Sequence, residues 1–145
     1  MDIVNEKKKY LQEGNSLYSC QYIVSFHTKY KRKVLDANKQ KFLKNELLKI
    51  AKEFDFRLSN IEITNNQVTM KIDCNPKFGV YTAITKLKNN SAVALKKEYP
   101  ELEKRIPSIW TRDTFISSIG VVDYQDINKF SELQKKYETQ KANIN

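Results

Sequence analysis

The stretch NNQVTMKIDCNPK, residues 65–77, contains the pattern that decides the fold. Apolar and polar side chains alternate along it, with Val68, Met70, Ile72 and Cys74 on one side and Gln67, Thr69, Lys71 and Asp73 on the other. Because successive side chains of a strand point to opposite faces, the pattern predicts a strand with one buried and one polar face. Asn65 and Asn66 precede it, and Asn tolerates positive φ, so we expect a tight hairpin turn from a strand over 56–64.

The rest of the chain supplies further elements around this hairpin. Alternation predicts strands over 17–27 and 111–118, and apolar spacing of three and four residues predicts helices over 37–54, 78–97 and 124–140, with Asp36 and Asp123 as the first and last N-caps. The resulting order, β-α-β-β-α-β-α, is that of an α+β, ferredoxin-like split β-α-β sheet with an added C-terminal helix. We expect a flexible, partly helical basic arm over 1–15 and one nucleic-acid-binding domain over 16–145.

Three segments carry a family resemblance. They are the strand and Asn-Pro-Lys turn at 67–77, the opening strand with its basic turn at 18–35, and the segment 110–120. Their sequences and spacing are similar to those of the single-tyrosine HUH transposases of small bacterial insertion sequences, the IS200-like transposases. The resemblance implies the same ferredoxin-like fold and extends from Tyr18 to about Tyr137.

The resemblance also assigns the positions at which that family performs its chemistry. Its two metal-binding histidines correspond to Gln67 and Thr69, its tyrosine nucleophile corresponds to Phe130, and its following glutamine corresponds to Gln134. Gln and Thr offer neutral oxygens, and a phenyl ring cannot attack a phosphate. The chain has one histidine, His27, so no two-histidine site exists in it. We therefore expect that the family's divalent metal, such as magnesium, is lost, with Tyr137 as a weak substitute nucleophile.

Charge points to a polyanionic partner. The net charge is +9 over 145 residues, and Lys29-Tyr30-Lys31-Arg32-Lys33 combines four cations with one aromatic ring. Cations neutralise phosphates and aromatic rings stack on bases, so this cluster favours hairpin or single-stranded DNA. The predicted nucleic-acid-binding residues are these five together with Lys71, Lys86, Lys88 and Arg112.

Three functions remain open from the sequence. The first is a catalytically inactive, transposase-like DNA-binding protein that acts as a regulator or is a relic. The second is an active DNA transposase or nuclease with a rewired site that uses Tyr137. The third is a ferredoxin-like protein-interaction module without DNA binding.

The remaining expectations concern assembly, thiols and location. The resembled enzymes pair two protomers and strand 17–27 has apolar residues on both faces, so we expect a homodimer. Cys20 and Cys74 fall among apolar neighbours, which favours buried, reduced thiols. No run of about 18 apolar residues is present, and the first residues lack the apolar stretch of a signal peptide, so we expect a cytoplasmic protein without a membrane span.

Overall fold

The computed structural model describes residues 10–120 and 124–133. Its strands are β1 Leu11–Glu13, β2 Ser16–Tyr18, β3 Gln21–His27, β4 Arg57–Ile63, β5 Gln67–Asp73 and β6 Phe115–Ser118. Its helices are α1 Ala37–Glu53, α2 Val80–Glu98 and the single turn α3 Leu102–Arg105, and residues 124–133 are also helical. Within these described ranges no helix is long and apolar enough to cross a membrane.

The main sheet has the order β4-β5-β3-β6, and every neighbouring pair is antiparallel. The chain runs from β3 through α1 to β4, and from β5 through α2 to β6. Each helix therefore connects two strands that are separated in the sheet by one antiparallel strand. This is the ferredoxin-like split β-α-β arrangement, so the predicted fold class is confirmed.

The core lies between one face of this sheet and the two long helices. The strands contribute Val24 and Phe26 from β3 and Val68, Met70 and Ile72 from β5. The helices contribute apolar side chains at helical spacing, namely Leu43, Leu47 and Ile50 from α1 and Ala83, Ile84, Leu87 and Leu95 from α2. The strand positions between the apolar ones therefore face away from the helices.

Local signals explain where the helices begin. Asp36 is the N-cap of α1, as predicted, and its carboxylate accepts a hydrogen bond from the Lys39 amide at 3.0 Å. This bond lowers the pKa of Asp36, and the ammonium group of Lys39 lowers it further. Helix α2 lacks a side-chain cap and begins after Gly79, whose φ of 83° suits glycine.

Several predicted elements differ from those observed. The strand expected over 17–27 is interrupted at Ser19 and Cys20, which separate β2 from β3. The strand expected over 111–118 begins at Phe115, and Lys88 of α2 contacts Thr111 and Thr114 in the segment before it. The hairpin at 65–66 forms, but neither Asn there has positive φ. Cys74 is buried, as expected, whereas Cys20 is half-buried.

The contacts divide the chain into two units. One unit is Cys20–Ile119, and the other contains β1, β2 and the 124–133 helix. Residues 11–13 of the expected arm form β1, which pairs with β2 as an antiparallel hairpin. In this second unit the Tyr10 hydroxyl donates to the Asp126 carboxylate at 3.1 Å. Asp123 and the helix predicted beyond residue 133 lie outside the described residues, and the expected domain boundary at 15/16 stays a prediction.

Candidate nucleic-acid interface

The polar side chains of β5 form one row on the sheet face opposite the helices. The register places His27 opposite Gln67, Ser25 opposite Thr69 and Ile23 opposite Lys71. Directly opposed residues of an antiparallel pair share a face, so β3 supplies the second row of this surface. We call the surface formed by Gln21, Ser25, His27, Gln67, Thr69, Lys71 and Asp73 the polar sheet face.

A hydrogen-bonded chain crosses the centre of the polar sheet face. The Gln67 amide nitrogen donates to the Ser25 hydroxyl at 2.9 Å, and the Ser25 and Thr69 hydroxyls share a hydrogen bond of 3.0 Å. Both positions assigned to the family's metal ligands are therefore connected through one serine. Alternation along β3 places Ser25 and His27 on one face, but the register between β3 and β5 cannot be read from the sequence, so Ser25 was missed.

These residues do not fit a divalent cation. Gln67 and Thr69 supply neutral oxygens, and the hydroxyls are already committed to each other. The ammonium group of Lys71 lies on the same face, two residues beyond Thr69, and repels a metal ion. In the described part of the chain no three His, Cys, Asp or Glu side chains are grouped as metal ligands would be.

Asp73 lies at the opposite end of the polar sheet face from His27. Its Oδ2 accepts a hydrogen bond from the Gln21 amide at 3.4 Å, and it is directly opposite Arg57 of β4. Its Oδ1 is buried, without a hydrogen-bond partner among the described residues. Burial raises the pKa of Asp73, although the Gln21 hydrogen bond and the charges of Arg57 and Lys71 act in the opposite direction.

The predicted basic cluster forms a tight turn after β3. Thr28 is buried, its amide donates to the Asn66 carbonyl at 2.9 Å, and its hydroxyl donates to the Arg32 carbonyl at 2.7 Å. The Asn66 side chain in turn donates to the Lys31 carbonyl at 3.1 Å. The turn is thus fixed to the hairpin that leads into Gln67, and we call residues 29–33 the basic turn.

The basic turn presents its charges around one exposed ring. Tyr30 and Lys31 have φ of 58° and 54°, which is uncommon for residues with a side chain. The Tyr30 ring is 75% exposed, with the Lys29 ammonium 5.6 Å and the Arg32 guanidinium 6.0 Å from its centroid. An aromatic face beside cations is the combination that binds single-stranded or unpaired nucleotides.

The other predicted basic residues have different surroundings. The Lys88 ammonium is half-buried, donates to the Thr111 carbonyl at 2.7 Å and to the Thr114 hydroxyl at 3.0 Å, and lies 5.3 Å from the Phe26 ring. Burial lowers the pKa of Lys88, and the charge of Asp113 opposes that shift. The Lys86 ammonium lies 4.9 Å from the Phe54 ring centroid, whereas Arg112 is exposed. Lys88 therefore holds the segment before β6.

Of the three residues assigned to the catalytic helix, the structure describes Phe130. Phe130 is half-buried in the 124–133 helix. Gln134 and Tyr137 lie outside the described residues.

Fold and sequence together define the class of protein. The sheet order and helix placement are those of a ferredoxin-like domain. Residues 16–134 match the sequence model of a protein family described as "Transposase IS200 like". That match covers most of the chain. The chain therefore belongs to the IS200-like transposase family.

Curated relatives agree with this assignment. The transposases for insertion sequence element IS200 from Salmonella typhimurium and Salmonella typhi are each 23% identical to this chain over 109 residues. The match covers 74% of this chain and 72% of each relative.

Two solved structures share the fold. A candidate transposase from Deinococcus radiodurans R1 superposes with a TM-score of 0.69 at 21% identity, over 90% of this chain and 98% of its own. A REP-associated tyrosine transposase, solved bound to a REP hairpin, superposes with a TM-score of 0.56 at 10% identity, over 86% of this chain and 67% of its own.

Proposed function

We propose that this chain binds hairpin or single-stranded DNA and does not cleave it. The observation that carries the proposal is the hydrogen-bonded chain Gln67–Ser25–Thr69, which replaces a metal-binding pair with neutral groups bonded to one another. Beside it, the exposed basic turn keeps the groups that phosphate and base contacts require. The protein would then act as a regulator of, or a relic from, an insertion element.

The DNA-binding half of the proposal rests on charge, geometry and a relative. The backbone of the basic turn is fixed by Thr28 and Asn66, so it is ordered before any ligand arrives. Groups that are already ordered lose less conformational entropy when they bind. The REP-associated relative was solved with a DNA hairpin, and we transfer hairpin binding to this chain as part of the proposal.

The loss of cleavage rests on the chemistry of three positions. Cleavage by this family requires a divalent cation that polarises the scissile phosphate and a tyrosine hydroxyl that attacks it. Gln67 and Thr69 offer no imidazole or carboxylate, and Phe130 has no hydroxyl. Lys71 adds a positive charge to the polar sheet face, where it can contact a backbone phosphate in place of the ion.

A hairpin cleavage assay tests the proposal. We expect the wild-type protein to shift a labelled DNA hairpin with a single-stranded flank on a native gel. With magnesium or manganese present, it should give no cut strand and no covalent protein–DNA adduct on a denaturing gel. An adduct that disappears in Tyr137→Phe would overturn the proposal in favour of the rewired enzyme. Absence of any hairpin binding at low salt would favour the protein-interaction module.

A variant with the family's residue types restored tests whether Gln67, Thr69 and Phe130 account for the proposed loss of cleavage. Gln67→His, Thr69→His and Phe130→Tyr together restore the residue types of the family, while Lys71 remains beside them. We expect feeble cleavage from this triple variant and more from the quadruple variant that adds Lys71→Met, because the ammonium group no longer opposes the cation. Equal activity of the triple and quadruple variants would show that Lys71 has no influence on the site.

We also propose a homodimer that forms at the β6 edge of the main sheet. β6 pairs with β3 on one side, and no described strand pairs with its other side. Phe115 is 60% exposed on this strand and Ile116 is 39% exposed. An open edge with exposed apolar side chains is suited to pairing with a second copy.

A further inference from the structure

A cleft on the helical side of the domain has the chemistry of a nucleotide site. It lies between α2 and the segment 107–112 and has a volume of about 480 Å³. This is within the range of roughly 300–1,000 Å³ typical of ligand sites. The lining residues that matter here are Tyr81, Thr85, Asn89, Lys96, Trp110 and Arg112.

The charged residues that line the cleft have one sign, although the nearby charge of Asp113 acts on Lys88. Its ionised lining residues are Lys88, Lys96 and Arg112, and no carboxylate is found among the described residues that line it. Lys88 donates to the Thr111 carbonyl and Lys96 to the Pro107 carbonyl, so both lysines hold the wall formed by 107–112. Arg112 also lines the cleft and is exposed, so its guanidinium can contact a phosphate.

The cleft also offers an aromatic surface. Tyr81 lies in the first turn of α2 and is 75% exposed, although aromatic side chains are usually buried. The opposite wall is rigid, because the Trp110 indole is buried, donates to the Ser91 hydroxyl at 3.0 Å and packs edge-on against Phe26. Asn89 is exposed one helical turn beyond Thr85 and offers an amide to the edge of a base.

The cleft and the basic turn share a wall. The Lys29 amide donates to the Ile109 carbonyl at 2.8 Å, Thr28 forms a β-bridge with Trp110, and the Arg32 guanidinium donates to the Arg105 carbonyl at 3.0 Å. The segment 105–112 therefore connects the cations of the basic turn to those of the cleft. A DNA backbone held at the basic turn can continue along this segment to the cleft.

We propose that this cleft binds one unpaired nucleotide that flanks a DNA hairpin. The base stacks on Tyr81, and its phosphate lies against Arg112. The inference rests on the proposed function, since it adds a second contact to a hairpin that the basic turn holds. The two contacts then have different roles: the basic turn binds the DNA backbone of the hairpin, and the cleft binds the single-stranded flank.

Two hairpins with the same stem, one blunt and one with a flank of unpaired nucleotides, test the cleft. We expect the wild-type protein to bind the flanked hairpin more tightly than the blunt one. Stacking on an aromatic side chain is lost in Tyr81→Ala, which should weaken binding of the flanked hairpin by roughly 5- to 100-fold and leave the blunt hairpin unchanged. Tyr81→Phe keeps the ring and should retain wild-type affinity. Val93→Ala, on an exposed position of the same helix outside the cleft, is the matched control.

A fluorescent base reports the contact directly. With 2-aminopurine placed at each flank position in turn, one position should be quenched on binding of the wild-type protein but not of Tyr81→Ala. If the blunt hairpin binds well but the flank adds no affinity, or Tyr81→Ala behaves as wild type on both hairpins, the cleft proposal is wrong and the proposed function stands. If neither hairpin binds, the proposed function fails with it.

Discussion

Asp73 is the side chain of the polar sheet face whose protonation should affect stability. Its pKa is raised in the folded protein by burial, so between the unfolded and folded pKa values the native state binds more protons than the unfolded chain. The free energy of unfolding should therefore rise as the pH falls through the folded pKa of this carboxyl. At neutral pH the ionised carboxylate has a buried oxygen without a hydrogen-bond partner in the described part of the chain, which is unfavourable.

Asp73→Asn tests this reasoning, because it removes the charge and nearly preserves the shape. We expect the variant to be more stable than wild type at pH 7, with a difference that shrinks as the pH approaches 4. Denaturant unfolding at several pH values gives both quantities. Asp55→Asn is the control for removal of one negative charge, since Asp55 is exposed and its φ of 58° is one that Asn tolerates. A stability difference that is constant, or that grows on acidification, would contradict the prediction.

For single residues, the sequence predicted which face of a strand each side chain occupies, but it did not predict the hydrogen-bond partner of that side chain. Alternation correctly placed Gln67, Thr69 and Lys71 on one side of β5, because the direction of each side chain in a strand is a local property. The hydrogen bonds of Gln67 and Thr69 to Ser25 depend on the register between strands about 40 residues apart, which tertiary packing fixes. The contacts of Lys88 with Thr111 and Thr114 could not be predicted for the same reason, because they form only when α2 packs beside that segment.

The basic turn is the element on which the proposed DNA affinity depends. Each cation that neutralises a phosphate contributes about 0.7–0.9 to the steepness with which affinity falls as salt rises. Replacement of Lys29, Lys31 and Lys33 with Ala should therefore weaken hairpin binding and flatten the salt dependence by as much as about 2–3. Arg32 is retained, because its guanidinium bonds the Arg105 carbonyl and its loss would disturb the fold.

The matched control for the basic turn removes three exposed lysines from α1, namely Lys41, Lys44 and Lys52. Both variants lose the same charge, so a difference between them reports position. Fluorescence anisotropy at increasing salt gives the slope of each variant. Equal slopes for the two triple variants would show that the basic turn has no special role and that net charge alone sets the affinity.

Element positions followed from sequence where the determining contacts are local. The cap at Asp36 and the apolar stripe of α1 lie within a few turns of one helix, and the observed Ala37–Glu53 agrees with the predicted 37–54. The strand expected over 111–118 is shorter: the Thr111 amide still bonds the His27 carbonyl of β3, but continuous pairing with β3 begins only at Phe115, after the segment that Lys88 contacts. The Asn65-Asn66 hairpin was predicted correctly in place, but positive φ was the wrong reason for it.

For the whole molecule, the order of the sheet determines which edges remain open. β4 and β6 are the outer strands, and residues 120 onward belong to the second unit. The sequence predicted a dimer from the family resemblance and from the apolar residues of the first strand. In the structure β3 is paired on both sides, so it has no free edge that could pair with a second copy. The edge of β6 is open to such pairing among the described strands. Strand order depends on the complete fold, so the sequence alone did not reveal this edge.

The proposed homodimer depends on this edge and can be tested independently of DNA. We expect light scattering at micromolar concentration to give twice the mass of the chain. Phe115→Lys should shift the protein to monomer, since a charge on an edge strand opposes pairing with another copy. Val93→Lys introduces the same charge on an exposed position of α2 and should leave the dimer intact. If the wild-type protein is strictly monomeric, or if Phe115→Lys and Val93→Lys give the same mass, then β6 is not the dimer edge.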